Sequence, residues 1–283
     1  MNLRKTLTVR IALGSLRNWS QAISFMAGRS RKSKIDLLFR DGGCIEEVND
    51  PSLASALLNY YYYSRLIGSY SLEDMQKIKV IGEDISDKLN NNFSPREIRE
   101  FSMGGSFHLK EVLLFSLIRK LQPEIVVETG VAQGISSYTI LSALRSNTHG
   151  KLISVDFPNY NAKGYEYDDG TVDPVFVRPS LGSGWLVPSA YSNLWDLRIG
   201  KSKNVLPTLD VKVDIFLHDS EHSYHNMIFE FEWAYSHLSP RGVIVSDDID
   251  WNGAFSDFVG RHADMKLGLS SRTLGISFKT DHP

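Results

Sequence analysis

The sequence predicts an α/β protein: a mostly parallel sheet with helices on both faces, preceded by an accessory region. Three observations predict it. From about residue 106 onward, short apolar runs alternate with stretches of helical spacing. The runs lack polar alternation, as expected of strands buried on both faces. The chemically versatile residues fall just after these runs, where ligands bind in such sheets.

Taken in order, Val112, Leu113, Leu117, Ile118 and Leu121 lie at helical spacing. Ile125-Val126-Val127 is the first strand, followed by a Gly-rich turn and a helix carrying Ile135, Tyr138, Leu141 and Leu144. Leu152 to Val155, Leu197 to Ile199, Ile215 to Leu217 and Val243 to Val245 read as four further strands, and Tyr224 to Leu238 as a helix. Phe157 to Trp195 is long for a connection in such a sheet. Its Tyr160, Tyr165, Tyr167, Trp185, Tyr191 and Trp195, with Gly182 and Gly184 as hinges, suit an acceptor-binding lid. The plainer reading is an ordered surface excursion.

Residues 1–105 read as the accessory region and 106–283 as the main domain. Leu7 to Met26 suits a basic amphipathic helix, and Lys34 to Arg40 with Cys44 to Val48 suits a hairpin around Asp41-Gly42-Gly43. Leu53 to Leu66 reads as helical, its Tyr60–Tyr63 run either an aromatic platform or split between core and surface. Ser94-Pro95 marks a helix start, with Ser as N-cap and Pro in the first turn.

The 283 residues are 42% hydrophobic and 23% charged, ordinary globular values that exclude wholesale disorder. The net charge of −2 argues against a nucleic-acid binder. The single cysteine, Cys44, cannot form an intrachain disulfide and fits a reducing compartment. No stretch reaches the ~18 apolar residues of a membrane span, and Arg10 and Arg17 interrupt any signal-peptide core. A cytoplasmic protein is expected. Residues 1–35 carry eight Lys/Arg and no Asp or Glu, leaving −10 on the remainder (23 basic against 33 acidic). That asymmetry suits a peripheral contact with anionic lipid at the inner membrane face, or else a helix packed on the body with solvated arginines.

Glu128-Thr129-Gly130-Val131-Ala132-Gln133-Gly134-Ile135-Ser136 follows the first strand. Gly130 permits a sharp turn close to a ligand, and Gly134 opens a helix whose free N–H groups favour an anion. The spacing E-x-G-x-x-x-G-x-S is not the G-x-G-x-x-G of nicotinamide enzymes, which disfavours an oxidoreductase. Asp156 ends the second strand and suits a ribose diol; a glycine turn with a helix-capping Asp is the plainer reading.

The fourth strand runs into His218-Asp219-Ser220-Glu221-His222, and the fifth into Ser246-Asp247-Asp248. Neighbouring strand tips would bring Asp219, Asp247 and Asp248 together, where their mutual repulsion calls for a cation. Oxygen ligands point to Mg²⁺, with Ca²⁺ or Mn²⁺ as alternatives, and His218 and His222 keep zinc open. The plainer reading is helix caps and solvated acids.

These segments together resemble the class I S-adenosylmethionine (SAM)-dependent methyltransferases, within them the macrocin O-methyltransferase-like group that modifies sugars and natural products. The carriers are Glu128 to Ser136, Asp156, Asp219 to Tyr224 and Leu238 to Asp248, in the family's order, across residues 106–283. Ser220 stands where the family has Gly, Arg241 replaces the first Gly before the fifth strand, and Glu221 is one methylene longer than the usual Asp. The resemblance implies a doubly wound, Rossmann-like, seven-stranded sheet. It implies that Glu128, Gly130, Gly134, Ser136, Asp156 and Ser202 line the SAM site. Asp219, Asp247 and Asp248 would bind Mg²⁺ or another hard divalent cation, and Glu221 or His222 would be the catalytic base. The implied activity is O-methylation of a sugar, glycan or glycosylated small molecule. A catalytically silent methyltransferase-fold protein that binds glycans or membranes is the alternative, and a homo-oligomer is left open.

Overall fold

Period-two alternation splits every central strand between two hydrophobic cores. In the computed structural model of the chain, Val126, Leu152, Ile215 and Val243 face one side of the sheet, and their successors Val127, Ile153, Phe216 and Ile244 face the other. The described residues are 57, 60, 64, 68–69, 71–100, 109–161, 163, 165–166, 170, 172–173, 175, 177–270 and 273–280. The expected basic helix over 7–26, the hairpin over 34–48 and residues 61–63 lie outside them.

Among the described residues, helices α1 (Leu72–Asn92), α2 (Pro95–Glu100) and α3 (Leu109–Leu121) lead into the sheet. Strand β1 (Ile125–Thr129), helix α4 (Ile135–Asn147) and strand β2 (Lys151–Asp156) come next, then a two-residue hairpin, β3 (Tyr165–Glu166) and β4 (Val172–Asp173). Strand β5 (Trp195–Ile199), short helix α5 (Ser202–Val205), strand β6 (Val213–His218), helix α6 (Tyr224–His237) and strand β7 (Leu238–Ser246) continue the alternation. Helix α7 (Ala254–Arg261) and strands β8 (Met265–Ser270) and β9 (Gly275–Lys279) complete it.

The sheet has seven strands in the order β5-β2-β1-β6-β7-β9-β8. The first five are parallel, while β9 runs antiparallel to β7 and β8 antiparallel to β9. The order reverses between β1 and β6, so a crevice opens beyond their carboxyl ends. Among the described residues, no helix is long and apolar enough to cross a membrane.

Local sequence accounts for the helices. Ser94 and Glu97 form a reciprocal cap at α2, the Glu97 N–H donating to Ser94 Oγ at 3.3 Å and the Ser94 N–H to Glu97 Oε2 at 2.8 Å. In α1, Met75, Ile78, Ile81, Ile85 and Leu89 recur at helical spacing and are buried, behind a Ser71 N-cap. These residues share one core with α3 and α4 and with one face of the sheet. The Arg119 guanidinium joins α3 to α1 by donating to the buried Asp74 at 2.7 Å. Packing therefore runs across the expected boundary at 105–106. Ile85→Ala should cost about 3 kcal/mol and lower the midpoint of a single urea transition of the whole chain. A sheet transition that stayed in place would show that α1 folds apart from it.

Candidate active site

Parallel register brings the residues singled out in the sequence to one edge of the sheet. Thr129 lies opposite both Val155 and His218, and His218 opposite Ser246. Gly130, Asp156, Asp219 and Asp247 therefore leave neighbouring strands side by side.

The turn after β1 is tightly built. Gly130 donates its N–H to the Val155 carbonyl at 2.9 Å and has φ +80°. A Cβ there would fall 2.0 Å from the Asp219 carbonyl oxygen, so only glycine fits. Glu128 is fully buried and accepts hydroxyl hydrogen bonds from Ser136, Ser137 and Ser154. Burial raises its carboxyl pKa, and the three hydroxyls only partly oppose that. Glu128 and Ser136 thus hold each other inside the fold. Gly134 begins α4 in the left-handed region without a side-chain cap.

Asp156, also buried, accepts from the Val131 N–H at 3.0 Å through Oδ1 and from the Ser183 hydroxyl through Oδ2. Its carbonyl accepts from the Gly200 N–H at 2.8 Å, which places the turn after β5 beside it. Ser202 directs its hydroxyl to Asn226 Oδ1 at 3.2 Å.

Ser183 belongs to a segment, residues 181–187, that lies on the glycine turn. Gly184 donates to the Ala132 carbonyl at 2.8 Å and Leu186 to the Gln133 carbonyl at 3.1 Å, while Trp185 Nε1 donates to the Gln133 side chain. The preceding helices hold this segment. Lys88 of α1 donates to the Leu186 carbonyl at 3.0 Å, and the Phe93 and Trp185 rings lie 6.0 Å apart. Arg178 donates to the Asn92 carbonyl at 2.9 Å and to Glu97 of α2 at 3.1 Å.

The tips of β6 and β7 carry a cation that local sequence did not announce. Lys110, in the first turn of α3, donates from Nζ to Asp219 Oδ2 and to Asp247 Oδ2, both at 2.7 Å. Burial opposes its charge, but Asp219, Asp247 and Glu111 outweigh that and hold its pKa well above the usual lysine value. Asp247 is likewise pushed up by burial but pulled below its ordinary range by Lys110. Asp219 goes the other way: burial, reinforced by the Asp247 charge, raises it despite Lys110.

Asp248 does not join them. Its backbone adopts φ +48°, and its carboxylate lies 3.5 Å from His222 Nε2. Among the described residues, no group of three His, Cys, Asp or Glu side chains is arranged to hold a metal ion. The cation expected between Asp219, Asp247 and Asp248 is thus replaced, at the first two, by an ammonium. The residues present do not fit Mg²⁺.

Beside this cluster, Glu221 accepts from the Ser223 hydroxyl at 2.7 Å and is only partly buried. The His222 ring is wedged against His218 and Trp251, with centroids 5.2 and 5.0 Å away. Burial, and secondarily His218, lowers its pKa to about 3. A buried network fixes the end of β6. His218 Nδ1 lies 2.7 Å from Glu230 Oε2, and Thr129, Ser220 and Asn226 donate to the same carboxylate. Burial alone would raise the Glu230 pKa, but His218 and the hydroxyl donors hold it below its ordinary value.

Residues 127–249 match the model of a family described as a methyltransferase domain. No curated protein sequence matches the chain. Among solved structures, the chain is similar to the O-methyltransferase TomG from Streptomyces achromogenes, involved in tomaymycin synthesis, at 15% identity. That likeness covers 89% of this chain and 100% of TomG with a TM-score of 0.47. The Podospora anserina methyltransferase PaMTH1 is similar at 12% identity, over 90% of this chain and 98% of its own, with a TM-score of 0.48. At such scores these likenesses add no weight beyond the family match and the strand order.

The sheet domain should lose stability in acid through His222. The unfolded chain takes up that proton near pH 6.5, whereas the folded domain resists it down to about pH 3. Within that window the unfolded state binds more protons, so stability falls as pH falls. Between pH 7 and pH 5 the wild type should lose about 2 kcal/mol more than His222→Asn in urea unfolding. Equal losses would show that His222 titrates normally.

Proposed function

We propose that this chain is a SAM-dependent O-methyltransferase whose acceptor is a hydroxyl of a sugar, glycan or glycosylated small molecule. The observation that carries the reading is the Asp156 carboxylate. It is buried at the tip of β2, one strand from the glycine turn, and already takes a hydroxyl donor, Ser183. A ribose offers the same kind of donor. Beside it, the N-terminus of α4 has no side-chain cap and suits the carboxylate of an amino-acid moiety. This donor set fits SAM.

When bound, SAM supplies an electrophilic sulfonium methyl whose transfer leaves a neutral thioether. The protein's task is then to orient an acceptor hydroxyl and remove its proton. Glu221 suits that removal better than His222: its carboxylate is reachable from solvent, whereas His222 is wedged among rings and held as a weak base. Phe157 and Trp251 are exposed at the crevice rim, 54% and 42% accessible, and offer faces for a sugar ring. The basic residues 1–35 lie outside the described residues. Peripheral contact of a cytoplasmic enzyme with anionic lipid rests on their charge alone.

Calorimetry with S-adenosylhomocysteine tests the reading. The chain should bind one equivalent, and Asp156→Ala should weaken binding about tenfold or more. Ser183→Ala removes a competitor for Asp156 and should tighten binding several-fold. A folded chain that binds no S-adenosylhomocysteine would overturn the proposal. With an acceptor found by screening sugars for methyl uptake, Glu221→Gln should lower kcat by about 10²-fold or more while leaving S-adenosylhomocysteine affinity unchanged.

A further inference from the structure

We propose that Lys110 is the resident cation of the acceptor side: its ammonium takes the place between Asp219 and Asp247 that a divalent ion would need, so the site works without a metal and becomes a divalent-ion site only when Lys110 is removed. The inference rests on the transferase reading for its functional meaning but not for its test.

The geometry is specific. Lys110 Nζ stands 2.7 Å from one oxygen of each carboxylate, and its side chain is 15% exposed, against 22% for Asp219 and 19% for Asp247. A divalent ion bound to the same two oxygens would occupy the ammonium's own volume and be repelled by its charge. Lys110 is not a surface side chain that happens to lie nearby. It projects from a helix anchored by the buried Val112, Leu113, Phe115 and Ile118, and Arg119 ties that helix to Asp74 of α1. Glu111 adds a third acid 3.8 Å away, so the ammonium sits among three acids. Asp248, the remaining expected ligand, faces His222 instead. Lys110 acts here as a positioning residue: it holds the two carboxylates at fixed places.

Titration of the full chain with Mn²⁺ alone, read by electron paramagnetic resonance, tests this. The wild type should bind no ion at this site. Lys110→Ala should bind one Mn²⁺ per chain at least tenfold more tightly, and adding Asp219→Asn should abolish the gain. Lys110→Gln, one atom shorter but uncharged and still able to donate hydrogen bonds, serves the same purpose if the alanine variant does not fold. One tightly bound Mn²⁺ on the wild type, lost in Asp219→Asn, would overturn the inference without any variant at position 110. A folded Lys110 variant that gains no Mn²⁺ would overturn it equally. S-adenosylhomocysteine binding by the same variants separates this outcome from failure of the transferase reading.

Discussion

Two carboxylates at the tips of adjacent parallel strands are an electrostatic problem that the rest of this site is built to solve. Strands under about 5 Å apart force Asp219 and Asp247 into one small volume, where burial and mutual repulsion both disfavour ionisation. The Lys110 ammonium between them is the solution, at 2.7 Å from each. It works only because α3 is held rigidly by its own buried face. That face belongs to the same core as α1, so the helices before the sheet are part of what places the cation.

The same helices act on the other half of the crevice. Lys88 of α1 holds the segment 181–187 at Leu186, Glu97 of α2 holds Arg178 just before it, and that segment lies on the glycine turn and reaches Asp156 through Ser183. Both halves of the site thus depend on residues 71–97 without those residues entering either half. A region that reads as an accessory is, physically, the brace that fixes a lysine on one side and a loop on the other.

Much of the fold was legible because it follows local rules. The apolar runs ending at Val127, Val155, Leu217 and Val245 became strands, and the strict glycine requirement at Gly130 matches its φ of +80°. The reciprocal cap at Ser94 and Glu97 was readable in the same way. Helix α1 went unread although Met75, Ile78, Ile85 and Leu89 carry its signal. Strands β8 and β9 followed only from the resemblance, since they show little local pattern. Ser136, expected at a ligand, donates its hydroxyl to Glu128.

The partners of the site were a different matter. Lys110 meets Asp219 and Asp247 across 109 and 137 residues, and Thr129 meets Glu230 across 101. No periodicity or short motif encodes such a pairing. Sequence alone determined which strands form and which acids stand at their tips, because backbone preference and side-chain alternation act over a few residues. That the Lys110 ammonium stands between those acids was decided only when packing set α3 against the sheet.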